Sequence, residues 1–356
     1  MPQHVMDIWK APVSALRLDD ASRKKFVSSI TTSVRSTFPA CANAHRAPIS
    51  FLEESLVVVA LFLCVGGPLF LLLAGLYLLA FSTWYSVGVW LAVTLVLAFH
   101  PLPRSTSFRL WFSNSMFSVA LYRYFSYRFI WAGNSMEINS KSSAFIGAGP
   151  PHGVLPFANI LSIPAINQFT FRPFVGAPAS VVFNTPFLRY ITCFGCCDVS
   201  AKGISDSIDQ GVCVGMVPDG TAGIFQVRHD VEIVNLKSRK GLARLALKRG
   251  IPLLPAYSVG NTEVFSALFD SWGVMEYISR KLKISLFIPV GRFLLPIPKR
   301  SNITMIIGDV IPVEKVENPT QAQIDALHER LIKETTIIFD THKHSLGWGA
   351  KELRFV

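Results

Sequence analysis

Between residues 55 and 99 the chain carries no Asp, Glu, Lys or Arg, and apolar side chains dominate almost every window. One membrane-crossing helix needs about 20 such residues, so this run has room for two. The polar and aromatic residues 81–86 mark the expected break, which predicts helices over about 55–80 and 84–99. Gly66, Gly67 and Pro68 offer a kink within the first. Because the second segment is short, the pattern leaves two full crossings and a re-entrant hairpin both open. Arg35 and Arg46 precede the run and Arg104 and Arg109 follow it, which places both of its ends on the cytosolic face.

The pattern changes on either side of this hairpin, assigned to 51–103. Residues 1–50 are polar and Ser-rich without an early apolar core, and read as a mobile cytosolic tail. Residues 104–135 interleave many aromatic rings with Arg109, Arg123 and Arg128. Such a segment suits the headgroup layer as an amphipathic helix, or a helix packed on the domain that follows. From 136 to 356, short apolar runs alternate with helical periods, which predicts a cytosol-facing α/β domain. Strands are expected over 144–147, 181–183, 212–217, 253–259 and 303–307. A helix is expected over 239–249, capped by Ser238 and ended by Gly250 and Pro252. Another is expected over 321–342, where Thr320 and Gln323 form a capping box. Between them, 264–298 is apolar and broken by prolines, and reads as substrate-facing or membrane-dipping.

Composition sharpens this picture. The 356 residues are 51% hydrophobic and only 16% charged, too apolar for an ordinary soluble domain. The net charge of +11 suits anionic headgroups or a polyphosphate substrate such as coenzyme A. No nucleic-acid module is recognisable, so nucleic acid is not expected as a partner. Among the six cysteines, Cys193 and Cys196 have C-x-x-C spacing. No second pair or spaced histidine pair follows, so reduced thiols are expected rather than a metal.

The candidate chemistry sits at residues 143–157, SAFIGAGPPHGVLPF. An apolar run enters a Gly/Pro turn that presents His152, and a helix is expected to start near Pro156. A histidine there can serve as a general base, since its ordinary pKa lies near neutrality. Gly153 leaves space beside it and offers a backbone N–H to a developing negative charge. The simpler reading is a turn histidine that bonds only the backbone.

Three blocks then carry a resemblance. They are Pro150-Pro151-His152-Gly153, the stretch RKGLARLALKRGIPLLPAYSVGNTEVF at 239–265, and the C-terminal run from ITMIIGDVIPV through LHERLIKETTIIFDTHK. Together they resemble the type-2 diacylglycerol O-acyltransferase family, which includes monoacylglycerol acyltransferases and wax-ester-forming relatives. The first block is similar to the family's H-P-H-G with Pro150 in place of the first histidine. Where the family commonly has V-G-G-A-x-E, this chain has Val217-Pro218-Asp219-Gly220-Thr221-Ala222, closer to the F-P-E-G-T block of glycerophospholipid acyltransferases.

The resemblance implies an acyltransferase-like mixed sheet with flanking helices. It also implies transfer of an acyl group from acyl-CoA, a substrate rather than a cofactor, to diacylglycerol. A monoacylglycerol, fatty alcohol or lysophospholipid acceptor is the alternative, and a non-catalytic lipid-binding membrane protein is a third reading. His152 would match the catalytic histidine and Gly153 would bind the oxyanion. No G-x-S-x-G motif is present, which favours direct transfer over an acyl-enzyme. Related acyltransferases place an acid five residues after the histidine, where this chain has Phe157. Asp219 is the distant candidate, to orient His152 or to bind the acceptor hydroxyl. Arg189, Arg239, Lys240 and Arg244 are the candidates for the CoA phosphates, and Glu263 matches a family position near the site. Membrane lipids are expected partners, and a homo-oligomer is left open. The expected location is the endoplasmic reticulum membrane with both termini cytosolic, or a lipid droplet surface or plastid envelope.

Overall fold

The structure is a computed structural model that describes residues 4–7, 46–131, 144–169, 173–228, 230–270, 272–282 and 287–356. Most of the expected 1–50 tail, and the expected boundary near 135, lie outside the described residues. The described part of the tail departs from expectation. His4–Asp7 forms an edge strand, β1, antiparallel to β2 (Arg128–Trp131). Ala47 is buried, and its N–H donates to Ser126 Oγ at 2.9 Å.

The apolar run forms α1 (Phe51–Phe81) and α2 (Trp84–Phe99). Ser50 and Glu53 close a capping box that starts α1 ahead of the uncharged run. Among the described residues, α1 is the helix long and apolar enough to cross a membrane, and α2 is a shorter apolar helix. The two pack through Gly75, whose missing side chain admits the Trp90 ring, and Trp90 Nε1 donates to Leu71 O at 3.1 Å.

The aromatic segment divides between α3 (Thr106–Ser113) and α4 (Met116–Tyr124). Trp111 stays exposed, whereas Tyr122, Tyr124, Phe125, Tyr127 and Phe129 are buried in the main apolar core with Val57 and Leu61 of α1. The second half of this segment therefore belongs to the interior of the domain. Burial of large rings is worth more than leaving them at a wet interface.

Beyond this lie β3 (Ile146–Ala148), α5 (Phe157–Phe169), β4 (Phe174–Gly176), α6 (Ala201–Asp209), β5 (Cys213–Met216), β6 (Val231–Val234) and α7 (Gly241–Arg249). They are followed by β7 (Leu253–Val259), β8 (Ser266–Leu268), α8 (Val274–Leu282), β9 (Ile288–Val290), β10 (Thr304–Ile307), α9 (Gln321–His342) and β11 (Glu352–Phe355). The main sheet runs β1-β2-β10-β7-β3-β5-β4. β4, β5, β3 and β7 are parallel neighbours, and β10 turns antiparallel against β7. The sheet is mixed, as expected.

Two local expectations fail. Residues 181–183, read as a strand, lie in the 3-10 turn Ser180–Phe183. The residue at the N-cap of α7 is Lys240, with no side-chain cap bond, rather than Ser238. The capping box at Thr320 and Gln323 is present, and α9 buries Ile324, Leu327, Leu331 and Ile338.

The C-terminal strand closes the fold beside the site. β11 pairs parallel with β6. Just before it, Lys351 Nζ lies 3.4 Å from Glu232 Oε1, 3.2 Å from Glu263 Oε1, and 3.6 Å from the centre of the Trp348 ring. Glu232 is buried and also accepts from Tyr257 Oη at 3.1 Å and Thr262 Oγ1 at 2.9 Å. Burial raises its pKa despite these partners. Lys351→Met leaves this carboxylate without its cation, a change that typically costs roughly 3–5 kcal/mol. A lower denaturation midpoint is expected in detergent micelles, largely restored by adding Glu232→Gln. No shift in Lys351→Met would remove the clasp from the stability of the fold.

Candidate active site

Three adjacent parallel strands deliver the candidate residues from their carboxyl ends. β3 leads into the turn bearing His152, β5 leads to Asp219, and β7 leads to Asn261. Crevices at strand carboxyl ends are the usual ligand sites of such sheets. The Pro150–Pro151 bond is cis. Gly153 follows at φ +59°, and a side chain there would stand 2.9 Å from Asn261 Nδ2. Only glycine fits this left-handed, crowded position comfortably. α5 then starts at Phe157, just after Pro156.

The turn is held by its main chain. His152 N–H donates to Asp219 Oδ2 at 2.9 Å. Asn261 Nδ2 donates to His152 O at 2.7 Å and approaches Pro151 O at 3.3 Å, while its Oδ1 accepts from Ala158 N at 3.2 Å. Ser258 Oγ lies 3.3 Å from Pro150 O and Pro151 O, and Asn159 Nδ2 donates to Gly149 O at 2.8 Å. Asn261 is the positioning residue that sequence reasoning missed. Its position within N-T-E-V-F offered a signal, since a buried amide can satisfy a tight turn from both sides.

The imidazole itself is half-buried. Its Nδ1 lies 3.0 Å from Gly153 O. A carbonyl can only accept, so Nδ1 carries the proton and Nε2 keeps its lone pair. Burial holds the His152 pKa below the ordinary histidine value, against the Gly153 carbonyl bond, and the nearby Arg239 charge adds to the lowering. The ring is thus neutral at neutral pH, with Nε2 as the basic atom.

Asp219 is fully buried. Desolvation pushes its pKa up to about 7, opposed by the His152 N–H and by Arg239. It bonds the His152 backbone rather than the ring, and its Oδ1 has no hydrogen-bond partner among the described residues. Gly223 makes room for it, because a side chain at 223 would collide with the Asp219 carboxylate.

Of the residues expected to meet CoA, the structure brings Arg239 to His152 and Asp219. Its charge acts on both, and its guanidinium covers Gly220, where a side chain would stand 2.7 Å from Arg239 Nη1. Lys240 pairs with Asp325 at 2.7 Å on the outer face of the domain, and Arg244 is exposed on α7. Glu263 meets Lys351 rather than His152. Arg189 departs from expectation. It is buried, donating from Nε to Phe183 O at 3.0 Å and from Nη1 to Leu97 O at 3.2 Å, with His100 Nδ1 at 3.2 Å. Its guanidinium ties the end of α2 to the domain, because backbone carbonyls at a helix end need donors. No cluster of three His, Cys, Asp or Glu side chains suited to a metal occurs among the described residues.

A family model described as "Diacylglycerol acyltransferase" matches residues 77–355, which include every residue of this turn and its cradle. The chain belongs to the diacylglycerol acyltransferase family. The family expected from the sequence is thereby borne out. Diacylglycerol O-acyltransferase 2 of Danio rerio is 32% identical over 246 residues, 63% of this chain and 66% of that protein. Diacylglycerol O-acyltransferase 2-like protein 6 of Mus musculus is 27% identical over 299 residues, 76% of this chain and 86% of that protein. The chain thus spans slightly less than two thirds of the length of the first of these relatives. Among solved structures, the 1-acyl-sn-glycerophosphate acyltransferase PlsC of Thermotoga maritima aligns over 82% of this chain and 96% of its own. The TM-score is 0.39 at 13% identity.

Proposed function

We propose that this chain transfers an acyl group from acyl-CoA to the free hydroxyl of diacylglycerol, with His152 as general base and no acyl-enzyme. The observation that carries the reading is the His152 ring, neutral through burial and with Nδ1 facing the Gly153 carbonyl. An alcohol is a weak nucleophile at neutral pH, so its proton must leave as it attacks. Nε2 takes that proton while the alcohol oxygen bonds to the thioester carbon. The carbonyl oxygen becomes an oxyanion, for which the Gly153 N–H is the candidate donor. Collapse breaks the C–S bond, and the departing CoA thiolate recovers the proton from His152. Arg239, beside the turn, is the residue best placed for the CoA phosphates, with Arg244 further out along α7.

The length and apolarity of α1 support a membrane-bound enzyme that meets its lipid acceptor in the bilayer. The endoplasmic reticulum, with both termini cytosolic, is the proposed site. Incubating the reconstituted full-length chain with labelled oleoyl-CoA and diacylglycerol should yield labelled triacylglycerol. Monoacylglycerol, fatty alcohol and lysophosphatidic acid serve as competing acceptors. A strong preference for the phosphorylated acceptor would overturn the diacylglycerol assignment, and transfer to none of them would overturn the enzymatic reading.

A further inference from the structure

The tip between β9 and β10 shows an unusual use of strain. Phe293 and Leu294 both have left-handed backbones, at φ 57° and 60°. For a non-glycine residue such a conformation is strained. What the strain accomplishes is exposure, because the two side chains are 77% and 83% accessible. The tip is rigidly held. Gly291 N–H donates to Leu295 O and Arg292 N–H to Ile297 O, each at 2.8 Å.

The same tip is fastened to the apolar helix. Arg292 Nη1 lies 2.6 Å from Glu54 Oε1 and 3.3 Å from Tyr124 Oη. Pro296 packs on α1 at Gly66, where a side chain would stand 2.6 Å from Pro296 Cγ. Arg123 pairs with Glu53, and Arg300 donates to Ala47 O at 3.0 Å. Val57, Leu61, Gly66 and Gly67 of α1 are buried, with Phe187 against Gly67. The lower half of α1 is therefore docked on the domain along one side, with Val59 and Leu63 exposed on the other, and from Phe70 onward most of its large apolar side chains are exposed.

From Pro68 to Phe81 the free part of α1 is about 21 Å long at roughly 1.5 Å per residue. The hydrocarbon core of a bilayer is about 30 Å thick. A lipid surface that takes up the hairpin must then come close to Gly66 and Pro68, which is where Pro296 anchors the tip. Other exposed apolar groups lie nearby in the chain. Leu268 and Ile288 pair across the β8–β9 ribbon, and Trp272 is almost wholly exposed. Aromatic and aliphatic side chains in such a setting match the bilayer interface.

We propose that the Phe293–Leu294 tip is a second membrane contact, inserted at the acyl–headgroup boundary of a phospholipid bilayer beside the α1–α2 hairpin. This does not rest on the catalytic reading. The occupant is a lipid surface rather than a second protein copy, because the tip is anchored through Arg292 and Pro296 to a helix long and apolar enough for a membrane.

The full-length chain is placed in phosphatidylcholine vesicles containing tritiated phosphatidylcholine, with p-benzoylphenylalanine replacing Leu294. Parallel chains carry the same group at Tyr85, at the hairpin turn, and at Lys333, on the exposed face of α9. After irradiation, lipid label is expected at position 294 at a level comparable with 85, and is expected to be lost at 333. Label at 85 with only background at 294 would overturn the proposal while leaving the hairpin in the bilayer. Adducts from 294 to a second copy of the chain, in place of lipid, would overturn it also. Each replaced side chain is exposed, so folding is expected to be retained, and the activity of each variant is measured as a check.

Discussion

His152→Ala should lower acyl transfer by about 10²–10⁴-fold, the usual contribution of a general base. The loss should fall on kcat, with acyl-CoA affinity little changed, because Arg239 and the outer basic face remain. The turn does not depend on the imidazole for its shape. Its main chain is held by Asp219, Asn261 and Ser258, so the alanine variant should keep its denaturation midpoint. His152→Gln is the second variant; it restores bulk and polarity without a base, and should stay as inactive. The pH dependence follows from the sign of the shift. Burial lowers the His152 pKa, so the basic form is present throughout the neutral range and is lost only as pH falls through that lowered value. The acid limb of kcat/KM should lie below the ordinary histidine value of about 6.5. Wild-type turnover in His152→Ala would remove this residue from the mechanism.

Asp219→Ala is the second large effect. It removes the acceptor of the His152 N–H and leaves a hole against Gly223. Misplacing a catalytic group by about 1 Å can cost roughly 10²-fold in rate, and a loss of that order in kcat is expected. Asp219→Asn keeps an oxygen that can accept the same N–H, so it should retain most of the activity. That contrast separates a positioning role from an acid–base role, since a proton-transferring Asp219 would fail equally in both variants.

Asp219 also predicts a pH-dependent stability. Its pKa rises from 3.8 to about 7 on folding. Between those values the folded chain holds a proton that the unfolded chain has released. Its contribution to stability is therefore greatest below about pH 4 and is lost as pH rises to about 7. Three pKa units correspond to on the order of 4 kcal/mol. Asp219→Asn cannot ionise, so its stability relative to wild type should increase from pH 5 to pH 8 in chemical denaturation. A difference that stays constant across that window would mean Asp219 is not the buried, proton-holding group described here.

Local sequence was informative where a short segment decides its own conformation. The box of Thr320 and Gln323 marks the start of α9 because both partners lie within one turn. β7 at Leu253–Val259 was legible as an apolar run ended by a glycine. The SAFIGAGPPHG stretch announced a strand and a turn that displays a histidine, and the structure contains both. Residues 181–183 read as a strand because Val-Val-Phe has strand propensity, whereas the observed turn is set by what surrounds it. Arg189 reads from sequence as a candidate for the CoA phosphates, and only packing reveals that its guanidinium is used at the end of α2. The aromatic run before β2 could be assigned to an interface or to a core, and the ring-by-ring burial of Tyr122, Tyr124 and Phe125 decides it.

By itself the sequence determined the chemical types. It specified an uncharged double-length apolar run, a histidine beside a glycine in a tight turn, and a basic helix after an R-K-G block. These depend on neighbours in the chain and on the free energy of moving side chains out of water. Tertiary structure alone decided which distant groups meet. Asp219, His152 and Asn261 come together because β5, β3 and β7 lie side by side and parallel, so that their carboxyl ends open on one place. No local propensity encodes that order, which is set by the pairing of strands far apart in the chain.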